Sequence, residues 1–309
     1  MQLSQLSKAI LISLLPATSV FAAGLDRSGQ SISAFLQSGN YAEAGLSVLD
    51  PTVKGKDTSK DKNSVGDMAD DYYFPSAAIK IQATDKISLG LLYDQPYGAD
   101  ATYAIDGSDF ATATEGTQVQ VRTNNLTALI GYQPTENWNF YAGPVWQTVE
   151  ADISLRGNAY SVLSGYSINV EKEDAYGWLA GFAYQIPEIA LKASVTYRSE
   201  IEHNAKSTET SNLPLIASMM PASDPRKAIF AGLGELDSTL NATTPQSVNI
   251  DLQTGVAPNT LAFVNMRWVH WDQFTVSPTL LGKVGQDLIS YSDDQYSVTA
   301  GLSRKFNAK

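Results

Sequence analysis

The sequence predicts an all-β chain, a transmembrane antiparallel β-barrel, and three observations predict it. An export signal opens the chain, segments of about ten residues alternate in polarity, and short and long connections alternate between them.

The signal comes first. Lys8 is the only charge before Ala9-Ile10-Leu11-Ile12-Ser13-Leu14-Leu15, Pro16 ends that run, and Val20-Phe21-Ala22 offers small or tolerated residues at a cleavage site. A positive start, a short apolar core and a small-residue exit make a secretory signal. A membrane anchor needs about twenty apolar residues, and this run is shorter. Residues 1–22 are therefore expected to be removed, leaving a mature chain that begins Ala23-Gly24-Leu25.

Alternation carries the fold class. A tilted strand crosses the bilayer in about ten residues, with every second side chain facing lipid. Ala42, Ala44, Leu46 and Val48 make the first apolar register; Ala77, Ile79, Ile81 and Ala83 make the second. Ile87, Leu89, Leu91 and Tyr93 follow, then Leu126, Ala128, Ile130 and Tyr132. Trp138 to Leu155 reads as one long strand, and Tyr176, Trp178, Ala180, Phe182 and Tyr184 as the sixth register. Leu191 to Tyr197, a weaker Val248 to Leu252, Ala262 to Trp268, and Tyr296 to Phe306 complete ten.

The connections sort into two kinds. Thr84-Asp85-Lys86, Gln133 to Asn137, Ile186 to Ile189 and Gly255 to Asn259 are tight turns, whereas 50–71, 94–117, 156–173, 199–245 and 272–294 are long and polar. Strict alternation of the two is the pattern of periplasmic turns and extracellular loops in the outer membrane of a Gram-negative cell. A soluble sandwich has no reason to place every long loop at one end. Within 199–245 a short helix is expected from Asp224 to Ala231, with Asp224 as its cap and Pro225 at its first position.

Composition narrows the chemistry. The chain has no cysteine, which removes disulfides and thiolate catalysis, and its net charge of −11 argues against nucleic acid or anionic phospholipid as a partner. Fifteen Tyr, ten Phe and five Trp suit a sheet with aromatic girdles at the two membrane surfaces. No cluster has metal-ligand spacing and no glycine-rich phosphate loop occurs, so no cofactor is expected.

Three segments resemble a known family. Gly90-Leu91-Leu92-Tyr93-Asp94-Gln95-Pro96-Tyr97-Gly98-Ala99-Asp100 is similar to the third strand of FadL-type long-chain fatty acid transporters, whose relatives include toluene-uptake channels. Ala23 to Gln30 resembles the mature start of short members, and Phe263 to Phe274 carries their Trp–x2–Trp–x2–Phe spacing at a strand end. The resemblance implies a fourteen-stranded monomeric barrel lying among outer-membrane lipid and lipopolysaccharide. An N-terminal hatch would plug it, and hydrophobic cargo, a fatty acid or an aromatic hydrocarbon, would leave sideways at a kink in the third strand. The hatch would be residues 23–40, and no Asn-Pro-Ala segment occurs there. The barrel would run from 41 to 309, which ends just after the tenth strand. That ending leads to the expectation of a C-terminal truncation, against the alternative of a complete ten-stranded barrel.

Individual residues then take candidate roles. Proline cannot donate to a sheet ladder, so Pro96, with Tyr97 and Gly98, either breaks the wall or merely begins the second outer loop. The resemblance favours a break. Inward registers with Tyr141, Val145 and Leu179 suit an apolar ligand held by area burial, or packing against a hatch. Lys80, Arg198 and Arg267 lie opposite the lipid registers and are candidates for a cargo carboxylate. Leu213, Leu215, Ile216, Met219 and Met220 form an apolar stretch in the longest loop, either a capture surface or a lid. The alternatives to hydrophobic uptake are a general diffusion porin, a surface adhesin and a ten-stranded protease. The last would rest on His270 beside Asp272 or on His203 beside Glu200 and Glu202, all expected at loop ends.

Overall fold

The computed structural model describes residues 25–57 and 62–305. The expected signal peptide and Phe306 lie outside them. Thirteen strands form one antiparallel sheet: β1 Tyr41–Leu49, β2 Tyr72–Gln82, β3 Ile87–Asp94, β4 Gly98–Thr102, β5 Gln118–Tyr132, β6 Trp138–Leu155, β7 Tyr166–Ile186, β8 Leu191–Arg198, β9 Ile201–Thr210, β10 Glu235–Thr244, β11 Ser247–Ala257, β12 Thr260–Val269 and β13 Gln295–Arg304. The main order is β1-β2-β3-β5-β6-β7-β8-β11-β12-β13, with β4 paired to β5, β9 to β7 and β10, and every pair antiparallel. No helix among the described residues is long and apolar enough to cross a membrane.

These strands make ten passes of the wall. β7 pairs with β8 along its lower half, from Leu191↔Ile186 to Arg198↔Leu179, and with β9 along its upper half, from Ser207↔Val170 to Thr210↔Ser167. β8 and β9 are therefore one pass interrupted at Ser199 and Glu200, and β10 with β11 is the return. The stretch 199–245 is thus not a loop throughout, as its polarity suggested, and 94–117 likewise contains β4. The cause is visible in β9. Ile201, His203, Ala205, Ser207 and Glu209 face inward and are buried, while Glu202, Asn204, Lys206 and Thr210 face out and are exposed. A strand standing above the bilayer has water on its outer face, so it lacks the apolar register that marks a membrane pass.

Within the bilayer the outer face is apolar. Ile79, Ile81, Leu89, Leu91, Ile130, Phe140, Phe182, Ile250, Leu252 and Val298 are all exposed. Trp138 stacks on Phe140 and meets Tyr184 at 4.9 Å between centroids near the short turns, while Trp146, Trp178 and Tyr197 lie nearer the long loops. Trp138 and Trp146 are about 26 Å apart along β6 at about 3.3 Å per residue, or about 20 Å along the membrane normal at a tilt of about 40°, which falls within the apolar band of about 25 Å.

The expected helix in the longest loop is present as α2, Arg226–Ala231, with Pro225 rather than Asp224 at its cap; Asp224 Oδ1 accepts from the Arg226 amide at 2.9 Å. Before it lies α1, Leu213–Met219, and α3 is Thr279–Lys283 in the last long loop.

Candidate functional site

The N-terminal segment Leu25–Asn40 runs inside the curled sheet. Ile32, Phe35 and Leu36 are buried against Leu129, Tyr141, Val145, Leu179 and Ala183. Phe35 meets Tyr141 edge-on at 5.8 Å and sits in a notch above Gly90, where an added Cβ would fall 2.4 Å from its ring. Lys80 Nζ donates to the Gln37 carbonyl and Lys192 Nζ to the Leu36 carbonyl at 2.7 Å.

A charged belt crosses the interior above these contacts. Arg267 Nε donates to Asp26 Oδ2 at 2.7 Å and its Nη2 to Asp26 Oδ1 at 3.3 Å. The rest of the fork reaches Gln30 Oε1 at 3.0 Å, Asn249 Oδ1 at 2.8 Å and Ser247 Oγ at 3.3 Å. Arg198 donates to the Gln30 carbonyl and Asn249 Nδ2 to the Gly29 carbonyl at 2.8 Å; Ser28 Oγ donates to Asp94. The three cations nominated by alternation, Lys80, Arg198 and Arg267, do face inward. Each donates to the N-terminal segment, and Arg198 and Arg267 also reach Asn249 on β11.

Above the belt lies an apolar cavity. Its base is Leu25 and Tyr97; its walls are Val121, Val149, Ala151, Ile153, Val170, Ala205, Leu240 and Ala242; its roof is Trp271, Phe274, Val276, Leu288 and Ile289. Three polar side chains complete the lining, and each is already hydrogen bonded. Thr123 Oγ1 donates to the Tyr97 carbonyl at 2.7 Å, and Thr244 Oγ1 donates to Gln147 Oε1 at 2.7 Å. His203 lies between Glu173 Oε2 at 2.6 Å and Gln147 Oε1 at 2.8 Å. His203 is therefore a buried mid-strand residue, not the loop-end histidine beside Glu200 and Glu202 that its neighbours in sequence suggested. Tyr97 packs edge-on against Trp271 at 5.5 Å, and Trp271 meets Phe274 at 5.0 Å.

The wall is interrupted beside this cavity. β3 pairs with β5 as far as Asp94↔Asn125, and β4 resumes at Gly98↔Arg122, so three residues oppose two. One extra residue on one strand is a bulge, which bends it. On the other side β2 pairs with β3 only from Gln82↔Ser88 to Ala77↔Tyr93, and contact returns at Ala69↔Ala101. Between those limits no described backbone pair bridges Asp70–Ser76 and Asp94–Ala99, and the Asp70 amide donates to the Asp100 carbonyl at 3.1 Å just beyond them. The kinked backbone turns inward instead. The Arg27 amide donates to the Pro96 carbonyl at 2.7 Å and the Gly98 amide to the Leu25 carbonyl at 2.8 Å.

Behind the gap is a second, more polar cavity lined by Ser28, Ser31, Ala34, Glu43, Ser47, Pro75, Tyr93, Asp94, Leu179 and Arg198. Pro75 on β2 faces the kink across the gap, so proline interrupts both edges. Arg27 crosses the opening, its guanidinium 3.7 Å above the Tyr72 ring, and a Cβ on Gly98 would lie 2.6 Å from its Cζ.

At the long-loop end the apolar stretch Leu213 to Met220 divides in two. Leu213 and Ala217 are buried, Ile216 and Met220 are partly buried against the upper core, and Leu215 and Met219 are 60% and 73% exposed. Sequence reasoning had nominated Pro96 and Gly98 but passed over Pro75, Asp26, Arg27 and Asn249. Pro75 within an otherwise alternating strand was a signal that could have found the other edge of the gap.

The fold is similar to that of several solved structures. A crystal structure of a FadL homologue from Pseudomonas aeruginosa matches with a TM-score of 0.60 at 16% identity, covering 87% of this chain and 68% of that one. The Ralstonia pickettii toluene transporter TbuX matches at 0.57 and 11% identity over 89% and 76%, and the Pseudomonas putida toluene transporter TodX at 0.52 and 12% over 89% and 74%. No curated protein sequence matches the chain. The model of the outer membrane protein transport family (OMPP1/FadL/TodX) matches residues 31–303, and the chain belongs to that family of outer-membrane channels for hydrophobic compounds.

Proposed function

We propose that this chain takes up uncharged hydrophobic molecules of monoaromatic size, which rest in the apolar cavity and leave sideways through the gap at Pro96. The observation that carries the reading is the sharing of Leu25 and Tyr97. Both line the cavity, and both lie in the junction that holds the kinked strand to the N-terminal segment. Cargo seated there presses directly on the contacts that fill the gap, with residues 25–40 serving as the hatch. Leu213, Leu215, Ile216, Met219 and Met220 cap the mouth, the exposed pair Leu215 and Met219 offering first contact from solution.

Charge bookkeeping favours a hydrocarbon over a fatty acid. A lining of this kind attracts by apolar burial, at about 25 cal/mol per Å². A carboxylate placed in it would lose its hydration, and the guanidiniums of Arg198 and Arg267 already donate to Asp26, Gln30 and Asn249. TbuX and TodX, named as toluene transporters, agree with this choice.

The test is uptake by intact cells expressing the chain, with toluene and oleate each as labelled cargo. Toluene uptake above the vector control, with oleate unchanged, is the expected result. Faster oleate than toluene entry reassigns the cargo to fatty acids. Ready passage of sugars in liposome swelling would instead make the protein a general diffusion porin.

A further inference from the structure

At the outer end of β12 three side chains converge that neither cavity uses. His270 Nδ1 lies 3.0 Å from Asp294 Oδ1 and 3.3 Å from Asp272 Oδ1. One ligand atom from each falls within 4.8 Å of the others. An ion binding at about 2.1 Å separates neighbouring ligand atoms by about 3.0 Å in an octahedron and about 3.4 Å in a tetrahedron. The two separations from the imidazole nitrogen, 3.0 and 3.3 Å, lie within that range.

A hydrogen-bonded reading of the same trio satisfies it less well. Nδ1 carries at most one hydrogen, which two carboxylates would have to share. A divalent cation satisfies all three groups at once and cancels the two negative charges. The surroundings also suit a ligand set. Trp268 Nε1 donates to the other oxygen of Asp294 at 2.8 Å, the kind of outer contact that orients a coordinating carboxylate. All three side chains keep some exposure, so an ion can enter from solution.

We propose that His270, Asp272 and Asp294 form a site for a first-row divalent transition-metal ion of the zinc class. One imidazole nitrogen with two carboxylates suits such ions, whereas calcium and magnesium prefer oxygen ligands throughout. The position gives the site a purpose. Asp272 and Asp294 stand at the two ends of the last long loop, whose Phe274, Val276, Leu288 and Ile289 roof the apolar cavity. A metal ion there ties both ends of the loop to β12 and holds the roof in place.

The experiment is calorimetric titration of the full chain, free of any polyhistidine tag and folded in detergent, with zinc chloride and separately with calcium chloride. The sequence holds only two histidines, and His203 is buried, so background binding is low. One zinc per chain is expected, at least tenfold weaker in Asp294→Asn and in His270→Gln, with calcium failing to compete. Zinc should also slow proteolysis within 272–294, and a chelator should reverse the protection. Heat-dependent gel migration verifies assembly of each variant, and Asp272→Asn serves where one of the others fails to fold. Zinc affinity equal in the parent and in two assembled variants would overturn the site and leave the trio as an ion pair.

Discussion

Asp26 and Arg267 are 241 residues apart in the chain, yet one guanidinium grips both oxygens of one carboxylate, with each side chain only 7% exposed. This contact joins the N-terminal segment to the wall at the level of the kink. Removing one partner of a buried pair strands the other charge and costs about 3–5 kcal/mol. Arg267→Met should therefore loosen the segment while the strands remain assembled. Faster hydrogen exchange at Gly29 and Gln30 is the expected sign; parental exchange rates there would show that the pair does not hold the segment.

Pro96 withholds a donor from the wall, as Pro75 does opposite. Pro96→Val restores an N–H and a strand-forming side chain, which favours pairing across the gap. Uptake of the hydrophobic cargo should fall several-fold, with heat-dependent gel migration unchanged. If uptake persists at the parental rate, cargo does not leave by this route.

Gly98 is adjacent to the same opening for a steric reason. Any side chain there meets the Arg27 guanidinium, since even a Cβ would approach to 2.6 Å. Gly98→Val should displace Arg27 from the Tyr72 ring, and the double variant Gly98→Val with Arg27→Ala should recover assembly. Failure of the double variant to improve on the single would place the strain elsewhere.

Ala205 faces the apolar cavity from β9. Ala205→Phe fills space that cargo would occupy, and a stability change within about 3 kcal/mol is expected for an overpacked site. Toluene affinity should drop at least tenfold by fluorescence of the neighbouring tryptophan. Unaltered affinity would move the binding site out of this cavity.

Asp224, before α2, tests the loop's electrostatics. Hydrogen bonds from the Arg226 side chain and amide hold its carboxyl down to about 2, from an ordinary 3.8. A depressed folded-state value contributes stability above the ordinary one and loses it as pH falls toward 2. Carbon NMR of Asp224 should show a midpoint near 2 that rises on Arg226→Ala. A midpoint unaffected by that change would remove Arg226 as the cause.

The ten passes were legible because lipid imposes an apolar side chain at every second position, and Ile79, Leu91, Phe140 and Ile250 obey it. Water imposes nothing comparable. The upper halves at Ile201–Thr210 and Glu235–Thr244 consequently read as loop. The same parity put Lys80, Arg198 and Arg267 on the inner face. It could not supply their partners in the N-terminal segment, because Gln37, Gln30 and Asp26 come from a distant part of the chain. Trp271 and Phe274 stood out by spacing, but that they fold over the mouth depends on a loop closing through Asp294 and Gln295. His203 was misplaced for a related reason: its partner Glu173 lies on another strand.

The occupied fork of Arg267 has a consequence for the cell that carries it. All five of its N–H donors are engaged by Asp26, Gln30, Asn249 and Ser247. Water-soluble antibiotics and ions advance through ordinary porins by exchanging hydration for just such open polar sites. On Arg267 that ladder has no free rungs. High expression on a hydrocarbon diet therefore need not raise susceptibility to hydrophilic drugs.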